Sequence, residues 1–413
     1  MSAPAPFAAA VDPVLVLNCG SSSIKFALFD ASTLATTRAP LWSGRVEGIG
    51  TASASLAAVD AAPTPLTVSA ERPYHDALQA VRACVQRRAG GRLPAMVAHR
   101  VVHGGGKYTR PVRIDREVLA ELELLVPLAP LHQPYALHAM QILLDELPGL
   151  PQVACFDTGF HSTLPLVEQM LPLPHALWER GIRRYGFHGL SYEYLSIALA
   201  ERHGAHARCR TIVAHLGSGA SLCAMQNLQS VATTTGFSAL DGLMMGTRCG
   251  ALDPGVVLHL LEQENYSVEQ VSALLYQESG LLGVSGCSSS VKSLLDAEAD
   301  NPRARTALAL YVRRIVREIG ALTAVLGGLD LLAFTAGVGE RSAELRARIC
   351  AALQWLGVEL DSDANRAGAA TISAAGSAVR VAVEPTNEEW IAASHAVHVL
   401  RGNAPVAARH ALA

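Results

Sequence analysis

A run of small, hydroxyl-bearing residues between two alternating apolar segments constrains the fold of this chain most. It lies in VLVLNCGSSSIKFALFD, residues 14–30, with the turn at residues 18–23. Alternating apolar residues on both sides of a glycine-containing turn predict a β-hairpin. Backbone N–H groups and the hydroxyls of Ser21 and Ser23 can converge on an anion there, with Lys25 close behind. The run therefore predicts a phosphate-binding hairpin, and an ordinary hairpin with a serine-rich turn is the alternative.

The same pattern recurs in the second half of the chain. In TIVAHLGSGASLCAM, residues 211–225, an apolar strand is again followed by a glycine and serine turn and a second strand. A third glycine turn follows an apolar strand at Gly337 and Gly339, and a helix is predicted to begin near Ser342. Helix N-termini carry unpaired N–H groups, so this turn suits a nucleotide phosphate or an adenosine edge. The three turns together resemble the two-lobed nucleotide-binding fold of actin, sugar kinases and heat-shock ATPases.

Length and composition favour a globular protein of two domains. The 413 residues are half hydrophobic, and single cores rarely grow to that size. The formal net charge of −3 and the scattered basic residues predict no nucleic-acid partner. Residues 1–13 lack the positively charged region of a secretory signal peptide. The apolar run 319–329 is too short to span a membrane. We therefore expect a cytoplasmic protein with no membrane partner. The eight cysteines form no C-x-x-C pair, so we expect reduced thiols that pack as small hydrophobes.

Strand patterns that alternate with helical patterns predict an α/β architecture. Helices are predicted over residues 116–126, 136–146 and 304–326, and an exposed excursion of the first domain without helical periodicity over residues 50–65. The second hairpin must open a new lobe, so the domain boundary is predicted just after Asp157. We expect a first domain of residues 1–158, completed by a C-terminal helix at 387–413, and a second domain of residues 159–386. The two hairpins predict a duplicated fold.

Two arginines lie in segments that contain almost no other charge. Arg100 is in AHRVVHGG, and Arg248 is in GTRCG. A guanidinium between apolar residues and glycines needs an anionic partner when it is buried. A bound anionic substrate or a salt bridge to Asp or Glu would supply that partner, and the residues alone leave both readings open.

Two histidines and an aspartate stand beside glycines or at a strand end. His188 and His215 could donate hydrogen bonds to a phosphoryl oxygen, or could be core histidines bonded to backbone carbonyls. Asp157 ends the apolar strand VACFD, so its carboxylate should point into the crevice where α/β folds bind ligands, or should cap the next turn. His103 and His161 are expected to be structural.

Two segments have the spacing of helix N-termini. Thr386 and Glu389 are three residues apart, which predicts a capping box and leaves Glu388, beside them, without a structural requirement. Asp253 followed by Pro254 predicts an N-cap and a first-turn proline.

Nine motifs occur in the order, and at roughly the spacing, seen in acetate kinases. They are NCGSSSIKF, AHRVVHGG, PLHQP, CFDTGFH, RRYGFHG, HLGSGAS, LMMGTRCGALDPG, TAGVGE and PTNEE, and they extend from Asn18 to Glu389. The chain therefore resembles the acetate kinase family. The resemblance implies a duplicated, two-lobed actin-like and sugar-kinase-like α/β fold with an active-site cleft between the lobes. It also implies reversible, ATP-dependent phosphorylation of acetate to acetyl phosphate and ADP by direct in-line transfer, with Mg²⁺ or alternatively Mn²⁺, in a homodimer.

The resemblance also assigns roles to residues of these motifs. The catalytic residues are Asp157, His188 and Arg248, with a general-base or a metal-water role left open for Asp157. The residues that bind acetate or another short-chain carboxylate are Arg100, Val102, Leu131, His132, Phe187 and Ala239. The nucleotide-binding residues are Ser21, Ser23, Lys25, His215, Gly217, Ser218, Gly219, Ser290, Val291, Lys292, Gly337, Val338, Gly339, Glu340 and Arg341. The metal ligands are Asn18 and Glu388.

Several positions depart from the residues usual in the family. In the nucleotide-binding segments, Ser218 and Arg341 each replace an asparagine, and Ser290 and Lys292 replace an aspartate and an arginine. In the substrate segments, Ala239 replaces a proline, and PLHQP replaces histidine-asparagine-proline. These changes concern the donor and the acyl group, so a propionate or butyrate kinase is the alternative enzyme. A nucleotide-gated scaffold of the actin-like class is the alternative without catalysis, and it would not need both arginines.

Overall fold

The structure is a computed structural model that describes residues 11–402, and its chain divides into two compact units. Unit 1 contains the residues up to Gly159 and those from Asn387 onward, and unit 2 contains Phe160–Thr386. The expectations for residues 1–10 and for the end of the last helix, 403–413, lie outside the described residues. Within the described part, no helix is both long enough and apolar enough to cross a membrane.

Unit 1 is built on an eight-stranded mixed sheet. Its strands are β1 (Pro13–Cys19), β2 (Ser23–Asp30), β3 (Trp42–Glu47), β4 (Ser55–Ala58), β5 (Ala61–Pro65), β6 (Met96–Val101), β7 (Val112–Arg113) and β8 (Gln152–Phe156). Their order across the sheet is β5-β4-β3-β2-β1-β6-β8-β7. Antiparallel pairing of β1 with β2 forms the first hairpin, and β6 and β8 continue the sheet in parallel with β1.

Unit 2 is built on a five-stranded sheet. Its strands are β9 (Thr211–Leu216), β10 (Ala220–Gln226), β11 (Gln229–Thr233), β12 (Leu331–Thr335) and β13 (Arg380–Val383), in the order β11-β10-β9-β12-β13. Antiparallel pairing of β9 with β10 forms the second hairpin, and β12 and β13 run parallel to β9. The strands β3-β2-β1-β6-β8 of unit 1 have the same order and the same directions. This repeat is the duplicated fold that the two hairpins predict.

Helices pack against both sheets. Unit 1 contains α1 (Pro73–Arg88), α2 (Arg116–Glu123) and α3 (Gln133–Glu146). Unit 2 contains α4 (Leu166–Gln169), α5 (His175–Glu179), α6 (Gly189–His203), α7 (Pro254–Glu262), α8 (Val268–Gln277), α9 (Gly280–Ser285), α10 (Val291–Ala297), α11 (Pro302–Leu326), α12 (Ala336–Arg341), α13 (Ala343–Ala351) and α14 (Ser362–Ala367). Helix α15 (Glu388–Arg401) returns to unit 1, where it packs on β1, β6 and β8.

Three predicted helices are present with changed ends. Helix α2 ends at Glu123 rather than at residue 126, and a separate 3₁₀ turn with Pro127 follows, because proline cannot continue the helical hydrogen bonds. Helices α3 and α11 begin two or three residues earlier than predicted, each with a proline in its first turn. The predicted cap at Asp253 is confirmed, since its side chain accepts from Gly255 N–H.

Two other local expectations are wrong, whereas the exposed excursion at residues 50–65 is present as the edge strands β4 and β5. Its prolines are tolerated on the fully exposed outer strand. Gly337 and Gly339 lie inside α12, which begins directly after β12, rather than in a turn, whereas a helix does begin near Ser342 as predicted, because Ser342 caps α13. The cap of α15 is Asn387, whose side chain accepts from Trp390 N–H, so the capping box of Thr386 and Glu389 does not form.

Candidate active site

The polar residues of the first hairpin lie on the sheet face that α15 covers. Leu17 and Cys19 of β1 belong to the core formed with α1 and α3, so Asn18 between them points to the opposite face. Lys25 lies opposite Asn18 in the hairpin register and shares that face. Side-chain alternation thus places an amide and an ammonium together at this end of the sheet.

Arg100 and Asp157 reach the same face from the neighbouring parallel strands. Arg100 is aligned with Cys155, whose Sγ donates to the α15 carbonyl of Ala392 at 3.7 Å. Asp157 follows β8 two residues after Cys155 and therefore points to the same side. Glu388, the first residue of α15, completes the group.

The guanidinium of Arg100 is held between two carboxylates. Its Nε and Nη2 donate to Asp157 Oδ2 at 3.1 and 2.8 Å, and its Nη1 contacts Glu388 Oε2 at 2.5 Å. The Asp157 side chain is only 3% exposed. Burial opposes the charge of Arg100, but the two carboxylates outweigh that effect and raise its pKa. Of the two readings of Arg100, the salt bridge is the one that this structure contains.

Glu388 lies in a cluster where negative groups outnumber positive ones. Burial raises the pKa of Glu388 to about 7, and the charges of Asp157 and Glu389 add to this shift while Arg100 and Lys25 oppose it. A carboxyl whose charge is poorly compensated fits a divalent cation, which would offset the excess negative charge. Carboxylate and amide oxygens are suitable Mg²⁺ ligands, so Glu388 and Asn18 are chemically fit to hold the ion that the family resemblance implies.

In unit 2, His188 and His215 lie stacked beside the second hairpin. Their ring centroids are 4.2 Å apart, with 12° between the ring planes. His215 is on β9, and His188 precedes α6, which packs on β9. His188 adopts a left-handed backbone conformation with φ of 59°, which is unfavourable for a residue with a Cβ and is typical of functional sites.

Serine hydroxyls hold both rings by their Nδ1 atoms. His188 Nδ1 is 2.8 Å from Ser221 Oγ, and His215 Nδ1 is 2.9 Å from Ser191 Oγ. A Cβ atom built on Gly219 would lie 3.2 Å from His188 Nε2, so this nitrogen borders the hairpin backbone. The absence of a side chain at Gly219 keeps that approach open.

Arg248 approaches the same glycine. Its Nη1 would lie 3.9 Å from a Cβ on Gly219, and it donates to the carbonyl of Ala239 at 3.0 Å. Burial lowers the pKa of Arg248, whereas the pKa of Arg100 is raised by its carboxylates. The pKa values of the two arginines therefore shift in opposite directions, and Arg248 lies beside the same hairpin glycine as His188.

A cavity of about 680 Å³ extends from the second hairpin, within the size range of nucleotide and cofactor pockets. The structure brings together around it these predicted nucleotide-binding residues: Gly217, Ser218, Ser290, Val291, Lys292, Gly337, Val338 and Arg341. The hydroxyl of Ser290 caps α10, because its oxygen accepts a hydrogen bond from Ser293 N–H.

The remaining predicted residues occupy other positions. Gly339, within α12, faces Ala214 and Leu216 of β9, and Glu340 accepts from Thr386 N–H with its carboxylate. Phe187 is buried in unit 2, where Ala239 is half-buried, whereas Val102, Leu131 and His132 belong to unit 1. His103 and His161 are buried, and His161 bonds to Ser230 Oγ and to the carbonyl of Phe187, as expected of structural histidines.

Two supporting residues were missed by sequence reasoning. Arg346 is 1% exposed, and its guanidinium donates to the carbonyls of Gly339 and Glu340 at the end of α12 and to Asn365. Gln133, in the PLHQP motif, bonds to both the backbone N–H and the carbonyl of His103. Arg346 lies in α13 between the charged residues Glu344 and Arg348, so the sequence gives no signal of its burial, whereas the altered residue in PLHQP could have directed attention to Gln133.

The fold repeats one mixed sheet, and each copy begins with a glycine and serine hairpin. A nucleotide-sized cavity lies beside the second hairpin. Together these features define the class of actin-like and sugar-kinase-like phosphotransferases. Within that class, the chain belongs to the acetokinase family, whose model matches residues 13–394. It is 48% identical over 389 residues to an acetate kinase of Rhodopseudomonas palustris, an alignment that covers 93% of this chain and 97% of that protein.

Solved structures support the same assignment. The crystal structure of Porphyromonas gingivalis acetate kinase has a TM-score of 0.83 at 36% identity and covers 94% of this chain and 100% of that one. The crystal structure of a propionate kinase from Francisella tularensis has a TM-score of 0.86 at 32% identity. The match covers 93% of this chain and 98% of that one. The predicted fold class is thereby confirmed.

Proposed function

We propose that this protein is an ATP-dependent acetate kinase that forms acetyl phosphate and ADP reversibly. Membership of the acetokinase family over nearly the whole described chain carries the proposal. The geometry of unit 2 supports it, because His188 and Arg248 approach one glycine hairpin that also borders a nucleotide-sized cavity.

The proposed reaction is a direct in-line displacement. A carboxylate oxygen of acetate attacks the γ-phosphorus of ATP, the bond to the β–γ bridging oxygen breaks, and ADP leaves with the bonding electron pair. Acetate is already ionised at neutral pH, so no covalent enzyme nucleophile is needed.

The residues of the chain then act by positioning and by charge. His188 Nε2 and the Arg248 guanidinium would donate to the oxygens of the phosphoryl group in transit. Arg100 holds Asp157 and Glu388 in fixed orientations, which prepares Glu388 and Asn18 to hold a divalent ion. A bound Mg²⁺ or Mn²⁺ would supply positive charge that neutralises part of the charge of the phosphates.

A coupled assay for ADP release, with and without acetate, tests this function. We expect ADP release that requires both acetate and a divalent cation. Nucleotide turnover that ignores acetate, with no acyl phosphate trapped by hydroxylamine, would instead favour the actin-like scaffold.

A propionate kinase, or less directly a butyrate kinase, is the second candidate. A propionate kinase structure matches this fold, and Ala239 stands where the family usually has proline, which removes ring atoms from the acyl segment. An added methylene that fills this space would gain about 0.8 kcal/mol, roughly fourfold in kcat/KM.

We therefore expect propionate to be used within about tenfold of acetate, and Ala239→Pro to shift the ratio toward acetate. This variant keeps the carbonyl that accepts from Arg248. The kcat/KM values for acetate, propionate and butyrate decide the matter, and a propionate value more than about a hundredfold below acetate would show that the space is closed.

We further propose a cytoplasmic homodimer. All eight cysteines are free thiols, as in a reducing compartment. In α7, whose sequence is mostly apolar, no residue is buried, and Val256 and Leu258 are 41% and 54% exposed. An apolar helix left uncovered in one subunit supports pairing with a second copy.

A further inference from the structure

We propose that two buried hydroxyl relays fix the tautomers of the stacked histidines, so that His188 and His215 both carry their proton on Nε2. The relays are Tyr192–Ser221–His188 and Thr386–Ser191–His215. Their four hydroxyl residues are positioning residues, which act on the reacting groups through the two rings. The inference rests on the proposed function for its catalytic consequence, but the tautomers themselves follow from hydrogen bonding alone.

The first relay has only one consistent direction. The phenol of Tyr192 is fully buried and lies 2.5 Å from Ser221 Oγ. Ser221 Oγ is the one hydrogen-bond partner of this phenol among the described residues, so the buried phenolic proton is satisfied only if Tyr192 donates it to Ser221.

Ser221 is 0% exposed, and its Oγ bonds to Tyr192 and to His188. Because Ser221 accepts from Tyr192, its own proton is directed to His188 Nδ1. That nitrogen is then an acceptor, and the ring proton resides on Nε2.

The second relay repeats this arrangement. Thr386 Oγ1 donates to Ser191 Oγ at 2.8 Å, and Ser191, which is 0% exposed, lies 2.9 Å from His215 Nδ1. The Ser191 proton is therefore directed to His215, and His215 too is protonated at Nε2.

Both Nε2 atoms approach the glycine hairpin. Cβ atoms built on Gly219 and Gly217 would lie 3.2 Å from His188 Nε2 and 3.9 Å from His215 Nε2. Two positively charged rings stacked at 4.2 Å would repel each other. Fixed neutral tautomers supply two N–H donors to a phosphoryl group without that repulsion.

The ¹⁵N chemical shifts of the imidazole nitrogens test the tautomers directly. In the ligand-free, full-length protein above neutral pH, we expect both histidines to be protonated at Nε2. We expect Ser221→Ala to give a mixture of tautomers at His188 while His215 is unchanged. Protonation of His188 at Nδ1 in the parent protein, or an unchanged tautomer in Ser221→Ala, would overturn the proposal.

Steady-state kinetics tests the catalytic consequence. We expect Tyr192→Phe to lower kcat about tenfold with little change in KM for ATP. Without the phenol, the Ser221 hydroxyl is no longer required to donate its proton to His188. Tyr311→Phe is the matched control, since the buried Tyr311 hydroxyl has no hydrogen-bond partner among the described residues. Equal kcat values for the two variants would overturn the positioning role. Correct tautomers in a protein without acetate-dependent activity would instead reject the proposed function.

Discussion

At the residue scale, Arg100 and Arg248 should respond differently to removal because their partners differ. Arg248→Ala should lower kcat by about 10³-fold, the scale of an arginine lost from phosphoryl transfer. Arg100→Ala leaves two carboxylates, Asp157 and Glu388, without their guanidinium, which should cost about 3–5 kcal/mol of unfolding free energy. Urea unfolding and steady-state kinetics on both variants separate the two effects.

The control for this comparison is Arg116→Ala. Arg116 pairs with Asp145 at the surface of unit 1, with side chains 71% and 49% exposed, so its loss should change the stability by less than about 1 kcal/mol. Near-normal kcat in Arg248→Ala would remove that residue from the mechanism. Unchanged stability in Arg100→Ala would show that its ion pairs contribute nothing net.

Glu388 should make metal binding depend on pH near neutrality. Its pKa of about 7 in the metal-free protein means that Mg²⁺ must displace a proton at lower pH. The apparent Mg²⁺ affinity should therefore increase as the pH rises through 7 and then level off. Isothermal titration calorimetry in buffers of different ionisation enthalpy measures the proton released.

The same shift affects stability. The folded state binds more protons than the unfolded state between pH 4.5, the ordinary pKa of Glu, and about 7. The free energy of unfolding of the metal-free protein should thus decrease across this interval as the pH rises. Glu388→Gln should abolish both the decrease and the proton release, and a variant that keeps either would assign it to another group.

At the element scale, Arg346 connects the core of unit 2 to the cavity beside the second hairpin. Its guanidinium holds the C-terminal carbonyls of α12, and α12 supplies Gly337, Val338 and Arg341 to the cavity wall. Arg346→Met should leave buried carbonyls without donors, at about 1–3 kcal/mol each, and should raise KM for ATP more than it lowers kcat.

Arg348→Met is the control on the same helix, α13. Arg348 pairs with Glu298 and Glu344 at 31% exposure, so its loss should cost about 1 kcal/mol or less and leave KM for ATP unchanged. Equal KM values for the two variants would mean that α12 is held by other contacts.

The elements also show what the sequence could predict. The hairpins and α11 follow from local periodicity, and the fold class is confirmed. The start of α12 at Ala336 and the Asn387 cap were missed because nearby glycines and a competing Thr386–Glu389 spacing favoured other positions. The contacts of Arg346 with Asn365 depend on tertiary packing, which no local pattern encodes.

At the scale of the whole molecule, a repeated topology positions the candidate residues of each unit. In each unit, a helix covers one end of the sheet beside the hairpin, with Glu388 at the start of α15 in unit 1 and His188 before α6 in unit 2. Unit 1 carries the acids suited to a cation, and unit 2 carries N–H donors suited to a phosphoryl group. The duplication thus provides two different chemistries from one strand order.

The stoichiometry of acetyl phosphate to ADP tests the central claim most directly. Purified protein with ATP, Mg²⁺ and acetate should produce equal amounts of both products in ³¹P NMR spectra, and Arg248→Ala should reduce both in parallel. Acetyl phosphate that appears only in proportion to acetate and ATP consumed would support phosphorylation of the acetate carboxylate by ATP. ADP and inorganic phosphate in equal amounts, at a rate independent of acetate and without acetyl phosphate, would contradict the account.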